Sequence, residues 1–328
     1  MFERALVLGA TGMLGAHALR ACRQHGIAAR ALVRPGSDRR LLAGLPVEAA
    51  EGDLRDRASL ERALAGCDLA IHAAAPYPKR HFGKARLLAD ARAGMANLLA
   101  AARGAALRRL VYVSSATTIG VPAGARRPAR ETDTLPVRDS APYFAVKFLL
   151  EDLARAAAER GLPLVIVNPT FCVDEFDAHR TTAQLMLPLA RRQLPAYLAG
   201  TLNAVATRDV GAGILLAAEH GRPGERYILG GENLTTRAFL ERCARAAGVP
   251  APRRALPFAV AEPISLATEL IAWLTRTPPL FPLTGIRMSR HAQAYDITRA
   301  REELGYAPTS LDDAIARAYA WYRAQGWM

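Results

Sequence analysis

The chain opens on a short unbroken apolar run, Ala5-Leu6-Val7-Leu8. Glycines follow, then a stretch to about residue 25 in which apolar positions recur with helical spacing. An apolar run bounded by turn residues predicts a strand buried on both faces, and a repeat near 3.6 residues predicts an amphipathic helix packed against it. The alternation continues through the first half. It predicts strands at 28–33, 47–51, 69–75, 110–114 and 164–168, with helices at 57–65, 83–103 and 143–161. Strand and helix in alternation belong to the α/β class, a parallel sheet wound on both faces. From about residue 170 the regularity breaks down. Helices are predicted at 182–192, 209–220, 235–247, 257–275 and 311–325, with strand-like pieces at 205–207 and 227–229. Ser310-Leu311-Asp312-Asp313 has the form of a capping box at the start of the last helix. Residues 120–140 read as a loop.

Composition narrows the function classes. A chain of 328 residues, 51% hydrophobic and 22% charged, can bury a sizeable core. The formal net charge of +13 invites a nucleic-acid reading. The arginines, however, are scattered, with only short pairs such as Arg39-Arg40, Arg126-Arg127 and Arg253-Arg254, and no basic tail or recognition motif accompanies them. The charge is read instead as attraction for an anionic cofactor or substrate, with no nucleic-acid partner. Cys22, Cys67, Cys172 and Cys243 form no C-x-x-C, as expected of reduced thiols in the cytoplasm. The window 256–274 is apolar but broken by Pro257, Glu262, Pro263 and Glu269, so it predicts a core or surface helix and no transmembrane segment.

The candidate chemistry begins in the first turn. Gly9-Ala10-Thr11-Gly12-Met13-Leu14-Gly15 follows the first strand and opens the first helix. In that context Gly9 allows a tight turn, Gly12 lets backbone approach a diphosphate, and Gly15 lets helix pack on strand, with the helix N-terminus aimed at the phosphates. This predicts a Rossmann fold. The dinucleotide-binding domain is expected over 1–170, and a mostly substrate-binding lobe over 171–328, with segments around 200–230 returning to the Rossmann sheet. After the second strand, where an acidic residue commonly holds ribose hydroxyls, stands Arg34. A guanidinium suits a 2′-phosphate, so NADP(H) is expected over NAD(H), with Ser37 and Arg39 as helpers. Asp53-Leu54 is placed to hold the adenine edge, and small residues of the fourth strand, Ala74 among them, let a cofactor lie against backbone. His72 reads as a packing residue. Ser114 and Ser115 end the fifth strand, where hydroxyls face the ligand crevice.

Tyr143 and Lys147 lie four residues apart at the start of a helix, hence on one face. Of 43 basic residues only Lys79, Lys84 and Lys147 are lysines, which points to a need for a compact ammonium at 147. The ammonium is expected to lower the phenol pKa and to bring proton transfer to a carbonyl or hydroxyl oxygen within reach of neutral pH.

Gly9-x-x-Gly12-x-x-Gly15, Asp53-Leu54, Ser114-Ser115-Ala116-Thr117, Tyr143-x-x-x-Lys147 and Asn168-Pro169 stand together in one order. With them the chain resembles the extended short-chain dehydrogenase/reductase superfamily, NAD-dependent epimerase/dehydratase type, over essentially its whole length. Leu32-Val33-Arg34-Pro35-Gly36-Ser37-Asp38-Arg39-Arg40, the stretch 51–56 and the stretch 222–235 are similar to hopanoid-associated sugar epimerases, themselves similar to dihydroflavonol-4-reductases. The resemblance implies Tyr143 as acid/base and Lys147 as its partner and a ribose ligand. It implies Ser115, with Ser114 as the alternative, as hydrogen-bonder to the substrate oxygen, and Asn168, Pro169 and Thr170 as a wall of the nicotinamide site. It also implies a small-molecule substrate, no metal, and a homodimer through helices 83–103 and 143–160. Three departures bear on the substrate and the proton path. Ala91 stands where relatives carry an asparagine that supports a proton relay, which leaves Asp90 or water for that task. Phe171-Cys172-Val173-Asp174 lacks a Gly-Pro pair, and Ala206 replaces a frequent histidine. The resemblance leaves open a sugar or sugar-nucleotide epimerase, an NADPH-dependent aldehyde or ketone reductase, and a cofactor-binding protein without turnover.

Overall fold

Alternate residues of β1 (Arg4–Leu8) serve two different cores, which is why residues 5–8 are all apolar. Ala5 and Val7 pack with α1 (Met13–Gln24) and α6 (Thr207–His220), while Leu6 and Leu8 pack with α2 (Arg57–Leu64), α3 (Lys84–Gly104) and α4 (Pro142–Glu159) on the opposite face. The same division recurs along β5 (Arg109–Val113) and β6 (Leu164–Pro169): Val111, Val113, Val165 and Val167 face one way, Leu110, Tyr112, Leu164 and Ile166 the other. The computed structural model describes residues 1–74, 84–120, 127–135, 141–275, Leu283, Ile286 and 293–328. Residue 75 of the fourth predicted strand, Lys79, Gly83 of the predicted helix, and residues 121–126 and 136–140 of the predicted loop lie outside these.

With β2 (Ala28–Val33), β3 (Val47–Glu51), β4 (Leu69–His72) and β10 (Arg226–Leu229), the strands form a seven-stranded, wholly parallel sheet in the order β10-β6-β5-β4-β1-β2-β3. This is the doubly wound Rossmann arrangement expected. The chain reverses its direction of winding between β1 and β4, so the crevice for a ligand opens at their C-terminal ends. Of the stretch 200–230, β10 joins this sheet but β9 (Thr201–Ala206) does not. β9 pairs instead with β7 (Phe171–Val173) and β11 (Glu232–Thr235), because β10 occupies the edge beside β6.

A third core lies over the crevice end. Met186 of α5 (Ala183–Ala190), Phe239 of α7 (Thr236–Ala247), and Tyr319 and Tyr322 of the C-terminal helix Leu311–Ala324 are buried together. Ser310 caps that last helix as predicted, its hydroxyl accepting from Asp313 N at 3.4 Å. β7, β8 (Ala196–Leu198), β11, β12 (Arg254–Leu256) and the helix Thr298–Leu304 were not legible in the sequence. At three to seven residues they are too short for a period to declare itself. α8 (Phe258–Thr275) forms where a helix was predicted, and among the described residues no helix is long and apolar enough to cross a membrane.

Candidate active site

The first turn contains three glycines with different reasons to be glycine. Gly9 has φ +80, and a Cβ there would lie 2.7 Å from Ala74 N; a Cβ at Gly15 would lie 2.2 Å from Gly9 O. Both are demanded by the protein itself. At Gly12 the nearest atom to a Cβ is Gly9 O at 3.4 Å, an ordinary contact, and its φ of −96 suits any residue. The missing side chain therefore leaves room for something outside the chain. α1 begins here without a side-chain cap, so the N–H groups at its start and the positive end of its dipole face the same space. A bare helix N-terminus beneath an omitted Cβ fits the diphosphate of a dinucleotide. Thr11, Met13 and Leu14 are half-buried around it, with Met13 Sδ accepting from Thr207 Oγ1 at 3.7 Å. Replacing Gly12 by Ala is expected to change unfolding free energy by less than about 0.5 kcal/mol, while dinucleotide affinity, read by fluorescence titration, falls at least about tenfold. Unchanged affinity would remove this turn from the site.

At the adjoining strand ends, Gly52 N donates to Val33 O at 3.0 Å and brings Arg34 beside Asp53. Arg34 is exposed and makes no ion pair with a described residue. Its expected helper Arg39 is paired instead with Glu51, at 2.5 Å. Asp53 accepts from Arg55 N at 2.8 Å and from its guanidinium at 3.0 Å; that hydrogen bond chiefly, with the charge of Arg34 adding, holds the carboxyl below its usual range. Leu54 O accepts from Asn97 Nδ2 at 2.9 Å.

The groups expected to react stand at the C-terminal end of β5 and the start of α4. β5 runs into Ser114 and Ser115 and then a single helical turn, Ala116–Thr118. Tyr143 lies in the first turn of α4, behind Pro142, whose fixed φ suits that position. Ser115 Oγ and Tyr143 OH are 3.3 Å apart, and Ser115 Oγ accepts from Thr117 Oγ1 at 2.9 Å and Thr117 N at 3.3 Å. One turn further, Lys147 Nζ donates to Ser114 O at 3.3 Å.

The electrostatics differ from the expectation. Burial raises the Tyr143 phenol above its ordinary value, hydrogen bonds from Ser115 and Thr117 oppose this, and Lys147 is not among the causes. Burial also pushes Lys147 down to about 8, against the attraction of Glu151. The protonated phenol is thus the favoured form, and the ammonium remains mostly charged at neutral pH.

Behind these groups lies a charged network that sequence reasoning missed. Glu151, one turn beyond Lys147, is buried and accepts from Ser114 Oγ (2.6 Å), Thr118 Oγ1 (2.8 Å), Asn168 Nδ2 (2.8 Å) and Arg226 Nη1 (2.8 Å). Arg226 Nη2 also donates to Glu131 O, and to Asp133 O at 3.2 Å. Asn168 is fully buried and donates to Ser115 O at 3.0 Å, so it stands behind the serine. Pro169 ends β6, and half-buried Thr170 donates to Asn203 Oδ1 at 2.8 Å. Because the Ser114 hydroxyl is turned to Glu151, Ser115 is the serine that meets the phenol. The available signal was the spacing Tyr143, Lys147, Glu151, a stripe along one face of the helix.

Other polar residues fall away from the chemistry. His72 is buried against Tyr112, with burial first and Lys147 second lowering its pKa to about 3, so it packs as a neutral ring. Ala91 is buried, whereas Asp90 is 62% exposed with Arg86 4.0 Å away. His17, Asp174 and Glu175 bring ligand-type atoms within 4.8 Å. Their charge is already met by Arg317 at 2.7 Å from Asp174 and Arg208 at 2.6 Å from Glu175.

Residues 5–230 match the model of the NAD dependent epimerase/dehydratase family. The chain is 36% identical to sterol demethylase protein B of Methylococcus capsulatus, over 98% of each. It is 32% identical to 4-hydroxy-2-methyl-3-oxo-4-farnesyl-3,4-dihydroquinoline-1-oxide ketoreductase of Stigmatella aurantiaca, over 93% of this chain and 92% of that one. The crystal structure of a nucleoside-diphosphate-sugar epimerase from Pseudomonas aeruginosa is 33% identical and superposes with a TM-score of 0.82, over 99% of both chains.

Proposed function

The chain belongs to the NAD-dependent epimerase/dehydratase family of extended short-chain dehydrogenase/reductases, and from that premise we propose that it works at the carbinol or carbonyl carbon of a sugar or sugar nucleotide. The observation that carries this reading is the approach of Ser115 Oγ to Tyr143 OH, 3.3 Å, in the crevice that Gly12 lines from the other side. With a dinucleotide held at the Gly12 turn, hydride transfer would be the chemistry the cofactor supplies there. Ser115 and Tyr143 grip one substrate oxygen, and Tyr143 gives that oxygen its proton as a carbonyl becomes a carbinol, or removes it in reverse. Lys147 keeps positive charge one turn below the phenol, and Glu151 and Asn168 hold the serine segment in place. The sugar nucleotide is supported by the name of the Pseudomonas relative. An epimerase uses this machinery twice, with no net consumption of cofactor.

A second reading is one-way reduction of an aldehyde or ketone with NADPH. The exposed guanidinium of Arg34, without an ion pair among the described residues, and the name of the Stigmatella ketoreductase favour it. Steady loss of nicotinamide absorbance with a carbonyl substrate selects the reductase; isomerisation without that loss selects the epimerase. In either case Arg34→Glu is expected to weaken NADPH binding at least about tenfold relative to NADH, since a carboxylate repels a 2′-phosphate. Equal affinities in the wild type, measured by fluorescence titration, would withdraw the NADP preference. The reading includes a homodimer through α3 and α4, and cytoplasmic residence, for which the four free thiols speak.

A further inference from the structure

α8 is an amphipathic helix turned inside out. Ser265 is fully buried, Glu262, Thr268 and Glu269 are half-buried, and Glu269 accepts from Leu283 N at 3.1 Å, so the polar side faces the protein. The side facing solvent carries Val260, Ile264, Leu266, Leu270, Ile271 and Leu274, each 41–66% exposed. Among the described residues the only other exposed large hydrophobic side chains are the terminal Met1 and Met328. Positions 260, 264, 267, 271 and 274 follow the i, i+4, i+7, i+11, i+14 spacing of one helical stripe, with 266 and 270 beside it. Among the described residues this is the one concentrated exposed apolar stripe, and contiguous apolar surface of this kind marks an interaction site.

We propose that this face docks the protein onto the surface of an anionic phospholipid bilayer. Two observations choose that occupant over a second copy of the chain. The first is size. An 18-residue helix is about 27 Å long, and its exposed apolar face is six side chains, well short of the roughly 20–30 residues a side of a stable protein interface. Seating an apolar helix face in the headgroup region needs no such extent from a partner. The second is charge. Arg253 and Arg254 stand exposed on and just ahead of β12, which leads directly into α8, without ion-pair partners among the described residues; the chain as a whole carries +13. Basic residues beside an apolar helix face match anionic headgroups. None of the stripe's residues is among the groups assigned to the crevice, and the proposal does not depend on which reaction the crevice performs.

Co-sedimentation of the full chain with vesicles tests this without any turnover. Wild type is expected to bind phosphatidylcholine vesicles containing phosphatidylglycerol, and to bind phosphatidylcholine alone more weakly. Leu270→Glu/Leu274→Glu is expected to lose at least tenfold in partitioning while keeping its melting temperature and dinucleotide affinity. Arg253→Ser/Arg254→Ser is expected to lose binding only to the anionic vesicles, about fivefold per arginine. If the double glutamate variant does not melt cooperatively, Leu274→Ser carries the comparison, with a smaller drop in the same direction. Absence of wild-type binding to either vesicle, binding unchanged by the glutamates, or a halving of solution mass in the glutamate variant would each overturn the proposal, the last by making the stripe a subunit interface.

Discussion

Replacing Tyr143 by phenylalanine is expected to lower turnover about 10²–10⁴-fold and to leave dinucleotide affinity unchanged. The variant removes one hydroxyl, which in the wild type lies 3.3 Å from Ser115 Oγ, and keeps the ring that packs edge-on to Phe144. A loss confined to kcat marks an interaction made only in the transition state. The pH profile adds a sharper expectation. Burial holds the phenol protonated above its ordinary range, so donation to a nascent alkoxide is supported throughout the neutral region. Lys147, pushed down to about 8, loses its charge as pH rises through that value, and the rate of reduction is expected to fall there. Stability moves the other way. The folded pKa of Lys147 lies below its unfolded value of 10.5, so holding the ammonium costs most below about pH 8, and the cost fades as pH rises toward 10.5. Relative to Lys147→Met, the wild type should therefore gain stability across the window in which it loses activity. A rate that stays flat through pH 8 would detach Lys147 from proton transfer.

The largest effect on stability is expected from Arg226→Met. The side chains of Arg226 and Glu151 are 4% and 5% exposed, with the ions 2.8 Å apart. Removing one partner leaves a carboxylate stranded in the interior, which costs about 3–5 kcal/mol. Urea unfolding should show this as a lower midpoint with little change in slope. The double change Glu151→Leu/Arg226→Met is expected to recover part of the loss, because replacing both charges removes the desolvation penalty along with the attraction. It will not restore activity in full. Ser114, Thr118 and Asn168 all donate to Glu151, and Asn168 in turn donates to the Ser115 carbonyl. Loss of the carboxylate therefore loosens the segment that positions Ser115. If Arg226→Met unfolds at the wild-type midpoint, the network has no part in holding the site together.

The difference between what the sequence displayed and what it concealed is physical. β1, β5 and β6 were visible because their stretches covered on both faces, 5–8, 110–113 and 164–167, are apolar, and the glycine turn because Gly9 and Gly15 tolerate no Cβ. Lys147 stood out through the scarcity of lysine. Glu151 and Arg226 did not, since 75 residues separate them and isolated charges ordinarily face water. Asn168 was correctly placed at a strand end, yet its amide points into the network behind Ser115, a direction no spacing encodes. The expected lowering of the Tyr143 pKa failed because proximity in sequence gives no measure of burial, and burial is the stronger influence here. In α8 the helical period was legible, but the side facing the protein was not: Ser265 and the half-buried glutamates reverse the usual orientation.

A crystal structure of the chain with bound NADPH tests the central claim most directly. The expected result is diphosphate density against the backbone N–H groups of Met13 and Leu14 over Gly12, with the nicotinamide ring on the same side of the sheet edge as Tyr143 OH and Ser115 Oγ. A dinucleotide seated elsewhere, or one whose nicotinamide lies away from that hydroxyl pair, would contradict it.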